Sequence, residues 1–272
     1  MLQQLIVLGS AAAPAVPADE LSQLGQKYGT DKVGHRYTRL YSRLFGGSRH
    51  TLRSFLEVGV YRGASIRMWK DYFTSAELYG IDYFRNQLGV IKLTPASGLN
   101  RALRRDLMSG HNFSDEVRRG ELGPRVHVID ANQSDASEMA GVVRSLGRRN
   151  AIDLIIEDGS HRHRDQLLNL AWLFPLVRPG GVYVIEDVTS SFQHGYDEPP
   201  KSEQTTLRVM ERFNTTRRMT SKHMSAAERC YLERWVQSAE TVLTRTRTAS
   251  GHPSALCLVR KLESRGPARC DV

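Results

Sequence analysis

Cysteine is scarce: three residues in 272, Cys230, Cys257 and Cys270, all late, odd in number and without CxxC spacing. That excludes a disulfide scaffold and a cysteine-based zinc site, and it fits a reducing cytoplasm. Also missing is any run of the roughly 18–20 apolar residues that a membrane span needs, so no membrane partner is expected. The opening MLQQLIVLGSAAAPAVPADE holds only a short apolar stretch with no Lys or Arg before it, which favours a flexible leader over 1–18 rather than a signal peptide. No repeat of 20–50 residues is visible, which excludes solenoids and propellers. Acids are the scarcer charge, 29 Asp+Glu against 38 Lys+Arg, leaving +9. A basic surface favours acidic partners without naming one, and nucleic acid is not the expected partner. What the chain does have is an ordinary globular balance, 40% hydrophobic and 25% charged, which excludes disorder for the bulk of it.

Spacing of apolar residues gives the organisation. Asp19–Phe45 reads as helical, with Leu21, Leu24 and Tyr28, then Tyr37, Leu40, Tyr41 and Leu44, at intervals of three and four. Gly29-Thr30-Asp31-Lys32 breaks it with a capped turn. Short apolar runs at Ser54–Val58, Leu78–Ile81, Val126–Ile129, Asp153–Glu157 and Val182–Glu186 read as buried strands. Helical patterns at Ala64–Tyr72, Ser137–Leu146 and Arg164–Leu176 lie between them, so the class is α/β with a mostly parallel sheet. Thr241–Thr246 and Ala255–Lys261 alternate as a closing antiparallel pair, and helical patterns recur at Leu207–Phe213 and Ala226–Val236. The layout is a leader (1–18), a helical segment (19–50), one domain (51–263) with insertions at about 84–125 and 188–240, and a disordered tail (264–272). The first insertion carries Arg101, Arg104, Arg105, Arg118 and Arg119.

Chemistry concentrates where strands end. Gly59 and Gly63 follow the first strand and precede a helix, a turn that lets backbone approach a ligand. Any such turn can hold two glycines; Asp82, ending the next strand, tips the balance toward a nucleoside-containing cofactor whose ribose it would hold. Asp158, Glu186 and Asp187 end two further strands at the same edge, and clustered carboxylates call for a hard cation or a proton. His161, three residues past Asp158, is placed to accept a proton beside such an ion, and His163 reads as its solvated neighbour. Asn132-Gln133-Ser134-Asp135 suits reading a base edge or capping the helix from Ser137, and both readings stay open.

The motif ExGxxxG in Glu57–Gly63, Asp82 and the closing strand pair resemble a class I S-adenosylmethionine-dependent methyltransferase. YGTDK at Tyr28–Lys32, HRYTRLY at His35–Tyr41, IEDGSH at Ile156–His161 and RPGGVYVIEDVTSS at Arg178–Ser191 narrow the resemblance. They are similar to the metal-dependent sugar O-methyltransferases of macrolide pathways, the mycinamicin and tetracenomycin-rhamnose type. The resemblance implies a doubly wound Rossmann-like sheet, S-adenosyl-L-methionine and Mg²⁺ or Mn²⁺ as cofactors, and antibiotic biosynthesis as the setting. Glu57 and Gly59 would line the methionine end, with Thr30, Tyr37 and Gly63 nearby. Gln133, Ser134 and Asp135 would lie at the adenine. Asp158, Glu186 and Asp187 would ligate the metal, and His161 would be the general base for a sugar or polyketide hydroxyl. Homo-oligomers are common in such enzymes. Asn132 stands where Asp is usual, and two departures matter: Glu157 as the first acid of the DDGSH pattern, not a ligand and tolerant of change, and a Tyr83–Arg125 stretch longer than the family's connection. The alternative is a catalytically inactive or RNA-binding methyltransferase-like module using the Arg-rich insertion. A metal-dependent hydrolase on the same sheet would leave Asp82 without a role.

Overall fold

The computed structural model of the protein describes residues 6–7, 19–84, 113–147, 149–247 and 251–264. Helix α1 (Glu20–Tyr28) and helix α2 (Tyr37–Phe45) precede strand β2 (Ser54–Val58), helix α3 (Ala64–Tyr72) and strand β3 (Glu77–Asp82). Helix α4 (Phe113–Arg118), β4 (Val126–Asp130), α5 (Ala136–Leu146), β5 (Ile152–Glu157), α6 (His163–Leu173) and β6 (Val177–Ile185) continue the alternation. Helices α7 (Thr206–Thr216) and α8 (Ala226–Trp235) then lead into β7 (Val236–Arg247) and β8 (Pro253–Lys261).

These strands form one sheet, in the order β7-β8-β6-β5-β2-β3-β4. The five strands from β4 to β6 run parallel, while β8 is antiparallel to both β6 and β7. Of the leader, only Ile6–Val7 (β1) is described, and it pairs in parallel with Val242 and Leu243 of β7. An edge strand therefore stands where a flexible leader is expected; an apolar, β-branched dipeptide beside an open sheet edge finds unpaired backbone groups to bond.

Period-two geometry sends alternate residues to opposite faces, and both faces are covered. Leu56, Val58 and Ile155 join Met139, Leu167 and Leu170 on one side. Phe55, Leu154 and Ile156 pack with Tyr41, Trp69 and Phe73 on the other. Burial on two faces explains why β2 and β5 read as continuous apolar runs. Strand β7 extends beyond its alternating stretch at both ends, and its register is irregular between Val236 and Ser238 and between Leu243 and Arg247. Chain progression reverses between β2 and β5, which leaves a crevice outside their carboxyl ends.

Both insertions carry structure. Helix α4 lies in the first, whose residues 85–112, Arg101, Arg104 and Arg105 among them, fall outside the described residues. The second contains α7 and α8, the latter started by a capping box between Ser225 and Glu228. The expected disordered tail also lies outside them beyond Ser264.

Candidate active site

The crevice at the strand ends opens into a cavity of about 610 Å³ whose lining includes Thr30, Gly59, Asp82, Gln133, Ser134, Asp158 and His161. Its size falls within the range of small-molecule sites. Gly59, at φ 89°, is where only glycine fits, because a Cβ there would overlap the Asp158 carbonyl. Asp82 is held by two backbone donors: Tyr61 N–H to Oδ2 at 2.5 Å and Tyr83 N–H to Oδ1 at 2.7 Å. Burial raises its carboxyl above the usual range, with those two donors pulling the other way. Gln133 is oriented by Asn169, whose Nδ2 donates to Gln133 Oε1 at 3.3 Å. Buried Asp165 ties two lining loops together: its Oδ2 accepts from Ser134 Oγ at 2.7 Å and from Ser160 Oγ at 2.8 Å.

Four of the residues expected at the cofactor are not among those lining the cavity. Glu57 is fully buried behind the cavity, accepting from Ser65 Oγ at 2.7 Å and Trp69 Nε1 at 3.3 Å. Burial, opposed by the charge of Lys32, pushes its carboxyl up to about 7. Gly63 takes a left-handed conformation at the start of α3, packed so close to the Phe113 ring that a Cβ would overlap it. Asp135 caps α5, accepting from the N–H groups of Ser137 at 2.8 Å and Glu138 at 3.0 Å, which favours the capping reading for that residue. The Tyr37 hydroxyl lies between Asp187 Oδ1 at 2.8 Å and the Ala255 carbonyl at 3.0 Å.

Beside the cavity, Asp158, His161 and Asp187 each offer one ligand atom, and these atoms all lie within 4.8 Å of one another. His161 Nε2 is 3.7 Å from Asp187 Oδ2. Both residues are left-handed, at φ 57° and 52°, a strained state for non-glycine residues that costs on the order of 1–3 kcal/mol each and clusters at working sites. Glu186 does not join this group. Its Oε1 accepts from the Tyr41 hydroxyl at 2.5 Å and its Oε2 from Lys32 Nζ at 2.9 Å, all three side chains buried. The last residue before the turn faces into the fold, whereas its neighbour Asp187 turns outward.

Lys32 is the residue that sequence reasoning missed. It sits in the 3₁₀ turn Asp31–Val33, 1% exposed, with Nζ 2.5 Å from Asp158, 2.9 Å from Glu186 and 3.4 Å from Glu57. Burial works against its charge, yet the three carboxylates outweigh it and hold the ammonium well above the usual lysine range. Nothing in its spacing distinguishes it from a turn lysine; only the YGTDK segment marked the place.

One further expectation changes. His163 is not solvated: it is fully buried, its Nδ1 near the Thr206 hydroxyl (3.2 Å) and N–H (3.3 Å). Its backbone N–H and that of Arg164 are both capped from a distant loop by Asp197, at 2.8 Å each. Glu157 is fully buried, and neither carboxylate oxygen meets a hydrogen-bond partner among the described residues. Burial first, then the charge of Asp158, pushes its carboxyl up to about 8. Between the unfolded value near 4.5 and this folded value, the native state binds the extra proton, so stability falls as pH rises through that window. Glu157→Gln is therefore expected to flatten the pH dependence and to raise stability at pH 8 and above by a few kcal/mol, at about 1.4 kcal/mol per unit. Chemical denaturation in chelator across that window checks it, and an unchanged slope would assign the charge elsewhere.

Residues 56–188 match a family described as a methyltransferase domain. Over those residues the chain is similar to a methyltransferase domain. The 8-demethyl-8-α-L-rhamnosyl tetracenomycin-C 2'-O-methyltransferase of Streptomyces olivaceus is 31% identical over 204 residues, 71% of this chain and 45% of that protein. The mycinamicin VI 2''-O-methyltransferase of Micromonospora griseorubida is 31% identical over 186 residues, 65% of this chain and 38% of its own length. The chain thus spans less than half the length of these curated relatives. Among solved structures, MycE of the mycinamicin pathway, in complex with Mg, SAH and mycinamicin VI, superposes with a TM-score of 0.59 at 24% identity. That match covers 94% of this chain and 57% of MycE, and it shows a shared Rossmann-like fold. Lys32, Tyr37 and Tyr41 lie outside the family match yet brace its acids.

Proposed function

We propose that the protein is an S-adenosyl-L-methionine-dependent O-methyltransferase, assisted by Mg²⁺ or Mn²⁺, for a hydroxyl of a sugar or polyketide-derived small molecule. The observation that carries this reading is one edge of one sheet. There, a cavity with Asp82 at its rim adjoins three side chains whose ligand atoms converge within 4.8 Å. The two carboxylates, Asp158 and Asp187, suit a hard divalent ion, with the His161 imidazole beside them. When bound, the ion would make the acceptor hydroxyl more acidic, and the cofactor would carry the methyl group to be transferred.

The chain's own residues do the rest. Asp82 accepts hydrogen bonds from the ribose hydroxyls, pre-oriented by its two backbone donors. Asp158 and Asp187 are the carboxylates that would hold the ion, and Tyr37 keeps Asp187 aimed. Glu186, although expected as a third ligand, serves as counter-charge to Lys32. His161 is placed to accept the acceptor hydroxyl's proton. Gln133 and Ser134 form the adenine side, and Thr30 closes the rim. A cytoplasmic setting and self-association belong to the same reading, and no helix among the described residues is long and apolar enough to cross a membrane. For the RNA-binding alternative no described residue speaks: Arg118 pairs with Asp115 and Arg119 with Glu121, at 2.6 Å each.

Asp82→Ala tests the cofactor placement. Losing hydrogen bonds to a charged acceptor costs about 1.5–3 kcal/mol, so calorimetry should show affinity for S-adenosyl-L-methionine down by roughly 10–150-fold. Unchanged binding would put the cofactor elsewhere.

A further inference from the structure

Lys32 occupies an unusual place: an ammonium with almost no solvent, touching Glu57, Asp158 and Glu186 on three adjacent strand ends. A buried cation is tolerated only when its charge is matched, and here the acids outnumber it. One of its partners, Asp158, also belongs to the group suited to a divalent ion, while Glu186 stands outside that group with both oxygens engaged. The lysine is thus in direct competition for one carboxylate and has sequestered another.

We infer that Lys32 is a positioning residue that sets the strength of the metal site: it shares Asp158 with the ion and withholds Glu186 from it. This rests on the metal-assisted reading above. Without the ion, Lys32 keeps the acid cluster neutralised and folded. With the ion, its positive charge stays close and weakens the grip of Asp158. Through Glu57, which is bonded to Ser65 and Trp69 of α3, the same ammonium also anchors the helix that opens the cofactor cavity. The ion is therefore held loosely by construction, and the site survives its departure.

The test is a Mn²⁺ titration of the metal-free protein, without cofactor or acceptor, with unbound Mn²⁺ read by electron paramagnetic resonance. Lys32→Met removes the competing charge at little cost in volume, and Mn²⁺ should bind about tenfold tighter or more, the scale of removing one like charge beside a divalent ion in a half-buried site. A merely structural lysine would leave that constant unchanged or weaken it, and either result overturns the inference while leaving the metal reading intact. Wild-type protein that binds no Mn²⁺ overturns the metal reading and the inference with it. If Lys32→Met does not fold, Glu186→Gln is compared with Glu186→Gln combined with Lys32→Met, which has lost a carboxylate together with the ammonium. The combined variant should bind Mn²⁺ tighter by the same factor, and equal affinities overturn the inference.

Discussion

Turnover of the His161→Ala variant is expected to fall by about 10²–10⁴, the usual contribution of a positioned general base. Binding of S-adenosyl-L-methionine should stay within a few-fold of wild type, because the imidazole sits at the rim beside Asp187 rather than among the cavity's ribose and adenine contacts. The loss should shrink as pH rises, since an acceptor hydroxyl ionises increasingly without help. His163→Ala is the informative companion. That ring is buried against Thr206, so its removal should cost about 2–4 kcal/mol of stability and lower Tm, with a smaller effect on turnover below the transition. Near-normal turnover in His161→Ala, or the same pH-dependent loss from both variants, would mean that another group takes the proton.

Chelation should produce the second large effect. Activity is expected to vanish in EDTA and to return with Mg²⁺ or Mn²⁺, while S-adenosyl-L-methionine still binds, because Asp82, Gln133 and Ser134 owe nothing to the ion. Asp187→Ala should reproduce the chelated state even with metal present. It also leaves the Tyr37 hydroxyl with the Ala255 carbonyl alone, so its Tm must be measured beside its rate. Full activity in EDTA would reduce Asp158 to a counter-charge for Lys32 and Asp187 to the acceptor of the Tyr37 hydrogen bond.

How much of this was legible in the chain depended on whether local pattern or long-range contact decided it. The α/β class, helix α3 and strand β2 follow from spacing alone, because two-faced burial leaves uninterrupted apolar runs that glycines punctuate. The acids at the strand ends were legible for the same reason: a residue just past a parallel strand must emerge at one edge. What no spacing reveals is direction. Glu186 and Asp187 are neighbours, yet one turns inward to Tyr41 and Lys32 and the other outward to His161, a choice made by the left-handed turn at Asp187. Glu57 and Asp135 likewise have suitable chemistry at suitable places, but their oxygens are spent on Ser65 and Trp69 and on capping α5. Lys32 was invisible as a functional residue because its two nearest partners are 126 and 154 positions away.

That separation has a consequence for biosynthesis. At about 5–20 residues per second, a ribosome needs on the order of ten seconds or more between emitting Lys32 and emitting Glu186. During that interval the ammonium has only Glu57, the farthest of its three acids, and later Asp158, so the segment carrying it settles fully only once β5 and β6 are made. The first helices to leave the tunnel are among the last to dock, and a nascent chain stalled before residue 186 should keep them open to protease.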